Sequence, residues 1–142
     1  MIYIAAPLFN PRERDFNLKL KAIIGHPVYL PQQDGELMEN LIRRGETVES
    51  AIKLVYQNDL KALHASDLMV AVLDGAHVDS GVAFEVGFFS ALGKPIVGFH
   101  SDSRSELSFG HNPMIAGALR CIVRAESELP DIIKRYLRYN MP

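Results

Sequence analysis

Two carboxylates, Asp59 and Glu85, sit where a packing argument alone would not put them, and a third, Asp79, is expected to converge with them at one edge of the sheet. Residues 46–65 have a strong helical period, with Val48, Ile52, Val55, Tyr56 and Leu63 on one face. Asp59 falls in the middle of that face, seven residues after Ile52 and four before Leu63. An unpaired carboxylate turned toward a core is costly. Asp59 therefore needs a dedicated partner, such as a structural hydrogen bond or a helix-end cap, or that end of the helix faces a cleft. A second helix is expected over 81–92, with Val82, Val86 and Phe89 as its apolar stripe and Glu85 at the stripe's border. The first turns of a helix favour negative charge, so Glu85 is expected to stay ionised, available as a nucleophile or base or simply complementing the dipole. Asp79 precedes this helix and competes with Ser80 for the N-terminal cap. Paired carboxylates suit glycosidic chemistry: one attacks or stabilises an oxocarbenium-like centre while another handles the proton.

The elements that must position these groups alternate between strand and helix. Short apolar runs at 2–6, 28–30, 68–73, 95–99 and 121–123 read as strands, 68–73 most clearly. Helices are expected over 12–24, 46–65, 81–92, 114–119 and 129–139, and polar loops over 32–36 and 76–80. The stretch 101–111 is polar, has no clear period and is expected to be mobile. This order predicts an α/β fold, a flavodoxin-like doubly wound five-stranded parallel sheet with helices on both faces. Ligands of such sheets bind beyond the carboxyl ends of the strands, here residues 5–9, 30–34, 74–80 and 99 onward.

Composition narrows the alternatives. The 142 residues fit one domain spanning 1–142, and with 48% of them apolar a substantial core can form. A net charge of −2 offers no basic excess for nucleic acid or an anionic membrane. No run approaches the length of a membrane span. The N-terminus reads as a strand and not a signal peptide, so a cytoplasmic location is expected. The lone Cys121 lies in an apolar run and reads as a buried structural residue. The five histidines lack metal-ligand spacing, and no metal site is expected. GxSxG, GxGxxG and Walker-type loops are absent from the sequence.

Several segments together resemble the nucleoside 2-deoxyribosyltransferase family. Ile2-Tyr3-Ile4-Ala5-Ala6-Pro7-Leu8-Phe9 is similar to its first strand and loop, and Asn58-Asp59-Leu60 with Asp67 to its NDL…D pattern. The run from Asp79 to Gly87, followed by Gly93-Lys94-Pro95, resembles its DxGxxxExG…GKP signature, and Asn112-Pro113-Met114 its NxM segment. The resemblance covers nearly the whole chain. It implies that Glu85 attacks C1′ of a deoxyribose, that Tyr3 holds Glu85, and that Asp59 helps protonate the departing base. It further implies substrate-binding roles for Asp79 and Gly81, for Gln33 in the 32–34 loop near the base, and for Asn112 and Met114. Asn112 would act on the 5′ end of a substrate in a neighbouring subunit, so a homo-oligomer is implied.

The resemblance thus implies a salvage-type transferase acting on nucleosides and free nucleobases, with no metal or organic cofactor. Two other readings stand beside it. One is a 2′-deoxynucleoside 5′-monophosphate N-glycosidase, a hydrolase. Against it, Asp79 would repel a phosphate and the first loop is Ala-Ala-Pro-Leu-Phe; for it, Arg12, Arg14 and Arg104 could contact a phosphate if they point inward. The other is a non-catalytic nucleoside- or nucleotide-binding module. Retention of all three carboxylates speaks against that one.

Overall fold

The computed structural model describes residues 1–108 and 110–139. Five strands, β1 (Ile2–Ala5), β2 (Val28–Tyr29), β3 (Leu68–Val72), β4 (Ile96–Phe99) and β5 (Cys121–Val123), form one sheet in the order β2-β1-β3-β4-β5. Every pairing is parallel. The expected doubly wound α/β sheet is the fold found. Its strand order reverses between β1 and β3, where a crevice opens at the carboxyl edge.

Side chains alternate across the sheet and create two cores. Ile2, Ile4, Val70, Val72, Val97 and Phe99 pack on one face against Leu20 and Ile24 of α1 (Pro11–Ile24) and Leu129 and Ile133 of α7 (Leu129–Tyr139). Tyr3, Ala5, Met69, Ala71 and Leu73 pack on the other face. There they meet Ala62 and Leu63 of α4 (Val48–Ala65) and Val82, Val86 and Phe89 of α5 (Ser80–Ala91). Because Tyr3 is an odd-numbered neighbour of Ile2 and Ile4, it faces α4 and α5, the two helices that carry the candidate carboxylates.

The helix starts follow local chemistry. Asn10 caps α1 in a capping box with Glu13, and Pro11 stands at the first helical position. Thr47 caps α4 through Ser50 N–H at 3.1 Å. Lys94 closes the other end of α4, its ammonium donating to the carbonyls of His64 at 2.5 Å and Ser66 at 2.7 Å.

Four sequence expectations need correction. Residues 32–36 are not simply a polar loop, since Pro31–Asp34 forms a short helix, α2. Pro31 presets its first turn, and the Asp34 carboxylate accepts from Leu30 N–H at 2.8 Å. A further helix, α3 (Met38–Arg43), follows it; six residues are too few to display a period. The stripe on α4 is not core along its length: Val48, Ile52 and Tyr56 are more than half exposed, and of the stripe only Leu63 is buried. Cys121 is half-buried on the edge strand, not fully enclosed, and burial raises its thiol above the ordinary range.

Residues 101–108 and 110–111 run irregularly, and residue 109 lies outside the described set. The Asp74 carboxylate anchors the start of the stretch through the N–H groups of Ser101 and Asp102 at 2.7 and 2.9 Å. After it comes α6 (Pro113–Ala118). Among the described residues no helix is long and apolar enough to cross a membrane. Nor do they place three His, Cys, Asp or Glu side chains so that they could hold a metal ion.

Candidate active site

A cavity of about 330 Å³ lies beyond the carboxyl ends of β1 and β3, lined by the β1 loop, α3, α4 and the start of α5. Asp59, Asp79 and Glu85 all line it, so the three carboxylates converge as expected, and Gly81 lines it with them. It continues into an apolar groove formed by Phe9, Ile52, Val55, Tyr56 and Phe84. That continuity explains the apolar stripe of α4. The helix leaves the core near Asp59, and its remaining apolar residues border a cleft.

Glu85 lies in the second turn of α5, with its Oε1 accepting from the Tyr3 hydroxyl at 2.5 Å. Oε2 has no hydrogen bond among the described residues. Burial pushes the Glu85 carboxyl up to about 8; the Tyr3 hydrogen bond pulls it down, and the charges of Asp59 and Asp79 raise it. The expectation that the helix terminus keeps Glu85 ionised is overturned, because it stands beyond the first turn, where the dipole acts most strongly, and desolvation wins. Tyr3 is wholly buried, and its phenol is raised by burial and by Glu85, so it remains a donor at any working pH.

Asp59 is the second perturbed acid. Burial raises it to about 6, while a hydrogen bond from Tyr29 opposes that shift. Two neighbouring carboxylic acids with displaced values can divide the tasks of nucleophile and proton donor. Asp79 has a different environment. Its Oδ1 accepts from the N–H groups of Gly81 at 2.9 Å and Val82 at 3.1 Å, so Asp79, and not Ser80, is the cap of α5. A Cβ at Gly81 would lie 3.1 Å from that oxygen, which makes glycine the natural occupant.

The remaining candidates lie apart. Gln33 is exposed on α2 and does not line the cavity. Asn112 caps α6 through Met114 N–H at 2.9 Å, and Met114 is 82% exposed; neither lines the cavity. Arg14 does line it, held by Leu8 O at 2.7 Å and by Glu39 at 3.0 Å. Arg12 and Arg104 line a neighbouring cavity of about 490 Å³ that shares Phe9 and Asp79 with the first. Sequence reasoning missed Tyr29, which stacks on Tyr3 and reaches Asp59. It also missed Phe9, Met38 and Phe84 as walls. The strand holding Tyr29 was legible, but the direction of its side chain depends on register with β1.

A sequence model of the nucleoside 2-deoxyribosyltransferase family matches residues 2–122. A nucleoside deoxyribosyltransferase from Limosilactobacillus fermentum is 39% identical over 61 residues, 43% of this chain and 36% of that protein. The match therefore spans about a third of that relative's length. A conserved protein from Enterococcus faecalis V583 superposes with a TM-score of 0.77 at 29% identity, covering 94% of this chain and 96% of that one. The 2-deoxyribosyltransferase from the psychrotolerant bacterium Bacillus psychrosaccharolyticus gives 0.73 at 25% identity, over 92% and 90% of the two chains. A 2-desoxiribosyltransferase from Leishmania mexicana, at 0.56 and 21%, shares the fold over 99% of this chain and 98% of that one. The family match takes in both tyrosines, all three carboxylates and Asn112, and the chain belongs to the nucleoside 2-deoxyribosyltransferase family.

Proposed function

We propose that the protein moves 2-deoxyribose between nucleobases by double displacement through a covalent glycosyl-Glu85 intermediate. The observation that carries this reading is the pair of perturbed acids in one cavity, Glu85 held by Tyr3 and Asp59 beside it. In the first half-reaction Glu85 Oε2, the oxygen free of Tyr3, bonds to C1′ as the N-glycosidic bond breaks. The bonding electrons leave with the base, and Asp59 supplies its proton. In the second, Asp59 takes a proton from an incoming base, whose nitrogen attacks C1′ and releases Glu85. Two inversions give net retention. The proton on Asp59 is returned to it in each cycle, which suits a group with a value near 6. The active form pairs an ionised Glu85 with a protonated Asp59. Between about pH 6 and 8 the pair holds one proton, mostly on Glu85; the active form is the minor arrangement with that proton on Asp59, and positive charge developing at C1′ stabilises its ionised Glu85.

Asp79, with Gly81, would hold sugar hydroxyls at the mouth of α5. Asn112 and Met114, which do not line the cavity of their own chain, would complete the site of a neighbouring subunit in a homo-oligomer. Gln33 would reach the base only from its exposed position on α2. A second reading, hydrolysis of a 5′-monophosphate, draws on Arg12 and Arg104 in the cavity that adjoins Asp79. The Asp79 carboxylate between them and the reacting centre favours the uncharged 5′ end of a nucleoside.

The test is chromatography of a 2′-deoxynucleoside incubated with a different free base, beside the Glu85→Ala variant. A new deoxynucleoside that disappears with Glu85→Ala is the expected result. Near-normal exchange by that variant would remove Glu85 as nucleophile, and free base without a new nucleoside would make the protein a hydrolase.

A further inference from the structure

We propose that Tyr29 is a positioning residue for Asp59, paired with Tyr3 as the positioner of Glu85, and that the lack of a side chain at Gly35 leaves room for the Tyr29 hydroxyl. The proposal rests on the reading of Asp59 as the proton donor. It starts from register. Tyr3 and Tyr29 are directly paired on adjacent parallel strands, so both side chains leave the same face of the sheet. Their rings stack with centroids 5.5 Å apart and planes within 15°. From this shared platform the two hydroxyls reach different acids: Tyr3 to Glu85 Oε1, and Tyr29 to Asp59 Oδ1 at 3.4 Å.

The Tyr29 contact is long for a hydrogen bond between oxygens. Catalytic contacts of this kind are often loose without substrate and tighten when it binds. A second, independent observation concerns Gly35. A Cβ built there would lie 2.8 Å from the Tyr29 hydroxyl, 3.4 Å from Asp59 Oδ1 and 2.7 Å from the carbonyl of Pro31. The backbone at Gly35 is extended, with φ −101° and ψ −161°, so glycine is not required there for conformation. The Pro31 carbonyl and the Tyr29 hydroxyl fill the space a side chain there would need, with Asp59 Oδ1 at ordinary contact distance behind them.

The consequence for the reaction is orientation. With Oδ1 turned to Tyr29, Oδ2 is the oxygen without a protein hydrogen bond among the described residues, and it is left for the base. Tyr29 also counteracts the desolvation of Asp59 by stabilising its ionised form. Its own phenol is raised by burial and by Asp59, so it stays a donor. The stacked pair therefore sets the orientation and the proton affinity of one acid while it fixes the position of the other.

The experiment follows the titration of Asp59 by carbon NMR of the labelled carboxyl in the wild type, Tyr29→Phe and Gly35→Ala. Phenylalanine keeps the stack on Tyr3 and removes only the hydroxyl. The expected result is that Asp59 titrates higher in both variants, by about half a pH unit or more. In Tyr29→Phe, kcat for base exchange also falls several-fold. An unmoved Asp59 titration in a folded Tyr29→Phe protein, or an unchanged kcat, would overturn the proposal. Asp59→Asn serves as the separate control. Exchange at the wild-type rate by that variant would overturn the proton-donor reading itself, whereas the titration shift does not depend on turnover.

Discussion

At the scale of single residues, the burial that makes Glu85 useful also makes it costly. Its carboxyl has an ordinary value of 4.5 and a folded-state value of about 8. Between those values the folded chain holds a proton that the unfolded chain has released. The contribution to stability is thus full below about pH 4.5 and is lost as pH rises through about 8. Glu85→Gln keeps an oxygen to accept from Tyr3 and cannot ionise. We expect it to melt at the same temperature as the wild type near pH 4.5 and about 5 °C or more higher at pH 9, from a difference on the order of a few kcal/mol. Melting temperatures measured across that range check the sign. Parallel curves would mean that the Glu85 carboxyl titrates alike in the folded and unfolded chains. Asp59, raised to about 6, contributes in the same direction over a lower and narrower window.

At the scale of elements, Asp79 has two duties that substitution can separate. It caps α5 through Gly81 and Val82, and it lines the cavity. Serine is an equally good cap without the charge, whereas alanine removes the cap at a cost of about 1 kcal/mol. Asp79→Ala should therefore lower the melting temperature by roughly 3 to 5 °C and Asp79→Ser by little. Both should lose nucleoside turnover, and Asp79→Ser should lose less with the 5′-monophosphate because a repelling charge has gone. An unchanged ratio of nucleoside to nucleotide turnover in Asp79→Ser would remove the carboxylate as the basis of selectivity. The same element shows what a sequence can carry. The capping role of Asp79, the helix after it and the strand before it follow from neighbours within a few residues. The meeting of Glu85 with Tyr3, 82 residues apart, depends on which face of β1 is odd, and the apolar run at 2–6 does not say. For α4 the apolar spacing was read correctly but its environment was not. Periodicity identifies a face without saying whether protein or a cleft covers it. The helices α2 and α3 were missed because four and six residues cannot display a period, although Pro31 and Asp34 held the local signal.

At the scale of the whole molecule, one side remains unsatisfied. Phe9, Ile52, Tyr56 and Phe84 are each more than half exposed, and all four border the groove that runs out of the active-site cavity. A contiguous apolar surface of this kind marks a contact site. The residues expected to reach the 5′ end of the substrate, Asn112 and Met114, lie outside the cavity of their own chain. Both facts fit a homo-oligomer in which each site combines Glu85 of one chain with Asn112 of another. Mixing two impaired variants tests this directly. Asn112→Ser keeps a hydroxyl to cap α6 while removing the amide, and Glu85→Ala removes the nucleophile; each alone should exchange bases poorly. If sites are shared, a hybrid contains some sites with both native residues. Random association in a two-fold assembly would then restore about a quarter of the wild-type exchange rate after the chains are dissociated and reassembled together. If every chain carries a self-sufficient site, no native pair is created by mixing. The rate then stays at the mean of the two variants, whatever the oligomeric state seen by sedimentation.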